Sequence, residues 1–274
     1  MINNDSLEFL DKLNLFNVNI TLKYSEKYSM ISSLEELKVV AKDRLPKHIG
    51  LIIDGNRRWA KERNLDINFG HMVGYENLKK RLFDFFDAGI QYLSLYILSL
   101  ENVKKRSPEE LDYLYKIMIK AVDTVISESI VREEKVNFNV IGRVKMLPDA
   151  TRKKILELIE FTKDHDQNFI NLCIMYDGHE EIVDAVKGII NDGIDPEEID
   201  KKLIKNYMWS NKFPPLDYII RTGMSDGARI SGFLLWDSSY AEFKFRSEWW
   251  PDYNKEMVLE DLIDFTKRKR SMGK

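Results

Sequence analysis

The chain has 274 residues, which suits one large α/β domain and falls short of two comfortable ones. Apolar residues make up 44% of it, so a sizeable core is possible, and its net charge of -3 argues against a general nucleic-acid binder. With one cysteine it cannot form an intrachain disulfide, and it shows neither a membrane-length apolar run nor a signal-peptide pattern. We therefore predict a cytoplasmic protein with no nucleic-acid partner.

Residues 1–43 are predicted to form an N-terminal helical annex to a domain spanning residues 44–274. The annex carries four leucines near helical spacing on a charged background: Leu7, Leu10, Leu13 and Leu15. A helix packed on the body is the first interpretation of this pattern. Weak contact with a membrane surface is the alternative.

Beyond the annex, the sequence alternates strand-like and helix-like segments. The predicted strands are residues 49–53, 92–99, 136–141, 169–175, 216–220 and 243–246. The predicted helices are residues 57–63, 73–87, 108–130, 150–161, 180–191, 196–207 and 258–268. This alternation predicts a single α/β domain with a mainly parallel central sheet and helices on both faces.

Polar residues collect after the predicted strands, where open parallel sheets bind their ligands. They are Asp54, Asn56, Arg57 and Arg58 after the first strand, Ser99, Glu101, Asn102 and Lys104–Arg106 after the second, Arg143 after the third, Tyr176–His179 after the fourth, and Arg221, Arg229 and Ser231 after the fifth. One rim would then combine carboxylates, guanidinium groups, hydroxyls and an amide. That combination suits phosphate and a metal ion.

The first of these turns indicates the most specific chemistry. Asp54 ends an apolar strand, where a carboxylate is costly to bury unless it is paired or bound to a metal. The next helix would present free N–H groups to an anion, and Arg57 and Arg58 add donors that can grip phosphate. Asp54 is thus placed to hold Mg²⁺ through one carboxylate and several waters. On local sequence alone, a helix-capping role for Asp54 remains the alternative.

Other ligand motifs are missing from the sequence. It contains no GxxxxGK[ST] or GxGxxG loop, no zinc-type cluster and no GxSxG elbow. The DxxD pair Asp84 and Asp87 lies within a predicted helix with aromatic residues between the carboxylates. We interpret that pair as a solvated helix face and not as a metal site.

Several ordered signatures resemble those of the cis-prenyltransferases, the undecaprenyl and dehydrodolichyl diphosphate synthase family, in an archaeal-type form. They occupy residues 48–60, 69–74, 88–102, 217–223, 229–243 and 250–252, so the resemblance spans residues 46–252. It implies a hydrophobic tunnel, a Mg²⁺ cofactor and a homodimer. It also implies condensation of isopentenyl diphosphate with an allylic diphosphate into a cis-polyprenyl diphosphate lipid carrier, with release of diphosphate. Such a product gives a reason to expect peripheral contact with a membrane.

The resemblance also implies roles for individual residues. Asp54 and Glu242 would bind the metal, and Asp54 would help the allylic diphosphate to ionise. The allylic diphosphate would be held by Gly55, Asn56, Arg57 and Arg58, with Lys105 or Arg106 as a further basic contact. Trp59 would be a substrate-binding residue, with a position in the core as the alternative. The diphosphate of isopentenyl diphosphate would be held by Arg221, Arg229 and Ser231. The condensing groups and the departing proton would be positioned by Ser99 and Asn102, with His71 close to the phosphates.

Three departures from the common bacterial pattern leave alternatives open. Ile67 stands where many relatives have arginine, the segment from Arg221 to Arg229 is two residues longer and lacks its glutamate, and Lys105 and Arg106 compete for one basic position. One alternative is a variant that makes short products or prenylates a different acceptor. Another is a non-catalytic partner subunit, which the retained Asp54 and first-turn arginines disfavour.

Overall fold

A computed structural model describes residues 31–268 of the chain. Its six strands are β1 (His48–Ile52), β2 (Tyr92–Ser99), β3 (Val136–Ile141), β4 (Asn168–Tyr176), β5 (Tyr218–Arg221) and β6 (Glu242–Phe245). They form one sheet in the order β3-β4-β2-β1-β5-β6, and every neighbouring pair is parallel. The predicted α/β fold with a parallel sheet is confirmed.

The helices are α1 (Leu34–Ala41), α2 (Asn56–Glu62), α3 (Ile67–Asp87), α4 (Leu100–Lys105), α5 (Pro108–Ser127), α6 (Ile130–Glu133), α7 (Asp149–Thr162), α8 (Gly178–Asn191), α9 (Lys201–Tyr207) and α10 (Lys255–Lys267). Helix α3 begins six residues before its predicted start at residue 73, because the Asp66 side chain accepts from the backbone N–H of Asn68 and caps it. The helix predicted over residues 196–207 divides into a 3₁₀ turn, Pro196–Glu198, and α9.

The core lies where the central strands meet the helices. All five residues of β1 are buried, as expected for a central strand covered on both faces. Leu34 and Leu37 of α1 are fully buried in the same core, so this part of the predicted annex packs on the body. Residues 1–30, which include the leucines of the predicted annex helix, lie outside the described residues. Between residues 31 and 268, no helix is long and apolar enough to cross a membrane.

Candidate active site

Asp54 lies at the carboxyl edge of the sheet, held between two arginines. Its Oδ2 accepts a hydrogen bond from Nη2 of Arg221 at 2.9 Å, and its Oδ1 lies 3.1 Å from Nη2 of Arg58. Arg221 ends β5 beside Ile52 of β1, so the parallel register brings the two side chains together. The Asp54 side chain stays 35% exposed. Gly55 is the N-cap residue of α2, without a side-chain cap, so the alternative in which Asp54 serves as a helix cap is not what the structure shows.

Glycines allow the backbone around Asp54 to turn and pack closely. Gly55 has φ of +115°, a conformation that favours glycine, and a Cβ there would lie 2.7 Å from Trp249. Helix α3 packs against the start of α2 through two more glycines. A Cβ on Gly70 would lie 2.4 Å from the carbonyl oxygen of Asn56, and one on Gly74 would lie 2.4 Å from its Oδ1. These contacts fix the turn that carries Asp54.

Arg221 also organises the loop that follows β5. Its Nη1 donates to the carbonyl oxygen of Arg229 at 2.7 Å and to Oγ of Ser231 at 3.0 Å. Arg221 is buried, whereas Arg229 and Ser231 are exposed on the rim. The lengthened segment therefore folds back onto Arg221. It brings a second cationic side chain and a hydroxyl to the edge that carries Asp54.

A buried carboxylate, Glu110, joins three predicted site residues. Its Oε1 lies 2.9 Å from Nε2 of His71, 3.4 Å from Nε of Arg106 and 3.7 Å from Nε of Arg57. Burial lowers the pKa of His71, and the hydrogen bond and negative charge of Glu110 partly oppose that shift. Glu110 is not among the residues predicted from the sequence. Its i,i+4 spacing from apolar Leu114 indicates a shared face of α5, but that spacing does not indicate which side chains Glu110 contacts.

Helix α4 and the residues after it complete the rim. Ser99 caps α4 by accepting from the backbone N–H of Asn102 at 3.0 Å. Lys105 pairs with Glu101 at the surface, and its side chain is 69% exposed. The side chain of Arg106 is 13% exposed and turns towards Glu110. Of the two competing basic residues, Arg106 is therefore the one built into the rim.

Below the rim, a cavity of about 750 Å³ extends over one face of the sheet. The predicted residues that line it are Asp54, Gly55, Asn56, Arg57, Arg58, His71, Ser99, Asn102, Lys105, Arg106, Arg221, Arg229 and Ser231. Deeper in, its wall includes alternate residues of two neighbouring strands, Leu95 and Ile97 of β2 and Ile170, Leu172 and Ile174 of β4, which share one face of the sheet. Helices α3 and α5 form the opposite wall with apolar side chains. The cavity thus joins a charged mouth to an apolar interior.

Within one chain, Glu242 does not lie beside Asp54. It begins β6 in register with Tyr218, the first residue of β5, and therefore lies at the amino edge of the sheet. Its Oε2 accepts from Nη1 of Arg268 at 2.9 Å. In residues 31–268, no group of three or more His, Cys, Asp or Glu side chains is arranged to hold a metal. Of the two carboxylates predicted to bind the metal, Asp54 is thus the one that lies at the carboxyl edge of the sheet in a single chain.

Trp59 and Asp84 also differ from expectation. Trp59 does not line the cavity, because its buried ring packs near Phe69 and its Nε1 donates to Oδ1 of Asp252 at 2.7 Å. The structure thus gives Trp59 a packing role and not the predicted substrate contact.

Asp84 is buried and ion-paired with Nε of Arg81 at 2.7 Å. The prediction of a solvated face is wrong for that residue.

A parallel α/β fold with an arginine-rich rim above an apolar cavity defines a protein suited to a ligand with an anionic head and an apolar tail. A family model described as undecaprenyl diphosphate synthase matches residues 52–273. The chain therefore belongs to the undecaprenyl diphosphate synthase family of prenyltransferases. The resemblance found in the sequence is confirmed, and with it the expectation of a prenyl-transferring enzyme.

Relatives and a solved structure agree with this assignment. The chain is 37% identical over 245 residues to a geranylgeranyl-diphosphate-specific tritrans,polycis-undecaprenyl-diphosphate synthase of Thermoplasma volcanium, covering 88% of this chain and 93% of the relative. It is 36% identical over 235 residues to an isoprenyl transferase of Clostridium tetani, covering 84% and 90%. The crystal structure of lavandulyl diphosphate synthase from Lavandula x intermedia with dimethylallyl diphosphate superposes with a TM-score of 0.79 at 29% identity, covering 85% of this chain and 100% of that one.

Proposed function

We propose that this chain condenses isopentenyl diphosphate with an allylic diphosphate and releases diphosphate, giving a cis-polyprenyl diphosphate. The observation that carries the proposal is the arginine-held Asp54 at the mouth of an apolar cavity of about 750 Å³. An anionic head bound at the rim would leave its prenyl chain in the cavity, which would serve as the predicted tunnel. Geranylgeranyl diphosphate is the starter to test first, because the name of the Thermoplasma relative specifies it.

The rim offers positions for two diphosphates. Asn56, Arg57 and Arg58 begin α2 and would bind the allylic diphosphate, whereas Arg221, Arg229 and Ser231 would bind isopentenyl diphosphate. Arg58 and Arg221 both contact Asp54, so the two anion sites share one carboxylate. This shared contact would hold the two substrates side by side, which converts a bimolecular step into an effectively unimolecular one.

The reaction needs charge stabilisation where the allylic C–O bond breaks. Both electrons of that bond leave with the diphosphate, the double bond of isopentenyl diphosphate attacks the allylic carbon, and a proton leaves the isopentenyl unit to restore a double bond. Preplaced guanidinium donors stabilise the departing diphosphate. Ser99 and Asn102 lie at the cavity mouth, where they would orient the condensing groups. The apolar wall would keep water from the cation-like carbon.

Asp54 fits a Mg²⁺ ion that arrives with the substrates. Proteins often hold this ion through one or two carboxylates together with substrate phosphates, so a single partly exposed carboxylate is sufficient. When bound, the ion would neutralise charge on the leaving diphosphate. Each Asp54 oxygen keeps a further lone pair beside its arginine contact, so the carboxylate would hold the ion while the two arginines face the incoming phosphates.

Product analysis tests this proposal directly. Purified full-length protein is incubated with Mg²⁺, geranylgeranyl diphosphate and labelled isopentenyl diphosphate, and products are measured by mass spectrometry. We expect chain elongation with release of diphosphate. No elongation with any allylic starter would overturn the proposal. The product lengths and an added set of other acceptors also test the alternative of a short-chain or unusual-acceptor variant.

We also propose that the chain works as a homodimer. Support comes from the outer edge of the sheet, where Tyr240 is 70% exposed and Phe243 of β6 is 37% exposed. Exposed apolar residues next to an edge strand are typical of association sites. Sedimentation equilibrium at micromolar concentration should give twice the mass of the chain. A single-chain mass would contradict the proposal.

A further inference from the structure

The segment after β5 has a strained backbone where it carries Ser231. The φ angle is +51° at Ser231, +77° at Gly232 and +42° at Leu234, so three of four consecutive residues lie in the left-handed region. Serine and leucine rarely adopt this conformation, because it brings their Cβ atoms too close to the backbone carbonyl oxygen. Such residues persist where their surroundings hold them in place, and they concentrate at ligand sites. The contacts that hold Ser231 therefore bear on how the rim works.

Two side chains hold Ser231, each at a different atom. Nη1 of Arg221 donates to Oγ of Ser231 at 3.0 Å. The Tyr96 hydroxyl lies 3.2 Å from the carbonyl oxygen of Ser231 and 3.3 Å from that of Tyr176, so the two carbonyl oxygens share its one proton. Because Oγ of Ser231 accepts from Arg221, the proton of the serine hydroxyl remains available for donation to an anion.

The ring of Tyr96 supports the same segment. It stacks on the ring of Phe233, with the centroids 4.9 Å apart and the planes inclined by 21°. Phe233 is fully buried, Tyr96 is nearly so, and Tyr96 belongs to the central strand β2. Ser231, by contrast, is exposed at the rim. One side chain of the core thus supports an exposed residue of the site through both its ring and its hydroxyl.

The turn before α8 holds the residue that follows Ser231. The backbone N–H of Gly178 donates to the carbonyl oxygen of Gly232 at 3.0 Å. A Cβ on Gly178 would lie 2.4 Å from the same oxygen, so this close approach requires glycine. Because each peptide unit is planar, fixing the carbonyl groups of Ser231 and Gly232 limits rotation about the backbone bonds between them.

We propose that Tyr96 is a positioning residue for the isopentenyl diphosphate site. Its hydroxyl keeps Ser231 in the left-handed conformation, in which the serine hydroxyl contacts Arg221 and can donate to the diphosphate. The inference rests on the proposed function, because it concerns the second of the two anion sites assigned there. The acceptors of the Tyr96 hydroxyl belong to Ser231 and Tyr176, and neither residue is assigned to the allylic diphosphate. Loss of that hydroxyl should therefore weaken one substrate and not the other.

Tyr96→Phe removes the hydroxyl and keeps the ring that stacks on Phe233. We expect the KM for isopentenyl diphosphate to rise roughly five- to tenfold, the effect of losing about one hydrogen bond, with kcat and the KM for the allylic starter changed less than about twofold. The matched control is Tyr218→Phe, which removes another buried hydroxyl, 3.3 Å from Oδ2 of Asp264. Equal KM values for the two variants, or an equal rise for both substrates, would overturn the inference.

A double variant shows whether Tyr96 acts through Ser231. Ser231→Ala removes the hydroxyl that Tyr96 is proposed to position. Adding Tyr96→Phe to Ser231→Ala should then raise the KM for isopentenyl diphosphate little further, because two changes that act through one group are not additive. If the two losses multiply as independent effects, Tyr96 does not act through Ser231 and the positioning role is wrong.

A binding experiment separates this inference from the proposed function. With isopentenyl diphosphate as the sole substrate no condensation takes place, so calorimetric titration measures its Kd without turnover. We expect a weaker Kd for Tyr96→Phe and an unchanged Kd for Tyr218→Phe. An unchanged Kd for Tyr96→Phe would overturn the positioning role even if the unmodified protein elongates prenyl chains. Absence of elongation by the unmodified protein would instead overturn the proposed function.

Discussion

Asp54 and Arg221 form a 2.9 Å ion pair between the carboxyl ends of neighbouring strands β1 and β5, although 167 positions separate them in the chain. Arg221 is buried and uses its other terminal nitrogen to hold the loop of Arg229 and Ser231. Asp54 also contacts Arg58 of α2. One carboxylate therefore links the two groups of donors that we assign to the two diphosphates.

Replacing Asp54 by asparagine should reduce turnover much more than it changes the fold. The amide keeps the size of the side chain but loses the charge that holds two arginines and would bind Mg²⁺. We expect kcat to fall by roughly 10²–10³-fold, the range seen when one preorganised electrostatic group is removed. Steady-state kinetics with the allylic starter measures the change. Asp149→Asn, which breaks a 2.7 Å pair with Arg152 away from the cavity, is the control and should retain activity. Equal kinetics for the two variants would refute the role of Asp54.

Glu110→Gln should destabilise the protein and shift the titration of His71. The change leaves Arg106 largely buried without its carboxylate, and removing one partner of a buried pair costs about 3–5 kcal/mol. Because the carboxylate raises the pKa of His71 against the effect of burial, that pKa should fall further in the variant. Urea unfolding and NMR titration of the His71 ring measure the two effects. A His71 pKa that stays the same or rises would contradict this account of the pair.

The sequence predicted the strand ends well, and with them most of the rim. Asp54 and Arg221 could be placed together because residues that follow parallel strands meet at one edge. Glu110 could not be placed, because its contacts depend on how α3 and α5 cross, and periodicity does not determine that geometry. Glu242 directly preceded a predicted strand, which already indicated the amino edge. The family signature suggested that Glu242 is a metal ligand. The direction of β6 opposes that suggestion, because it places Glu242 at the amino edge of the sheet in a single chain, whereas Asp54 lies at the carboxyl edge.

Gly74→Ala should displace the turn at the start of α2. The added Cβ would lie 2.4 Å from Oδ1 of Asn56, closer than ordinary contact allows. Overpacking of this kind costs about 1–3 kcal/mol, measurable as a lower urea midpoint. The double variant Gly74→Ala with Asn56→Ala removes the colliding amide and should regain most of the lost stability. If the second change gives no recovery, the close contact is not the cause.

The buried imidazole of His48 should make the protein less stable in mild acid. Its Nδ1 lies 2.6 Å from the carbonyl oxygen of Pro214 and its Nε2 lies 2.8 Å from Oγ of Ser94, while burial lowers its pKa to about 4. An unfolded histidine has a pKa of about 6.5. Below that pH the imidazole therefore binds a proton in the unfolded state but stays neutral in the folded state. The contribution of His48 is therefore complete above about pH 6.5 and is lost as the pH falls towards 4.

Urea unfolding at pH 7 and pH 5 measures this contribution. Linkage predicts that His48 accounts for a loss of about 2 kcal/mol between these two pH values. His48→Asn should flatten the pH dependence by that amount, whatever its effect on stability at pH 7. His179→Gln is the control, because it removes an imidazole that is 77% exposed and leaves His48 in place. A slope that persists in His48→Asn would assign the acid sensitivity to other groups, of which His71 is the first to examine because burial lowers its pKa too.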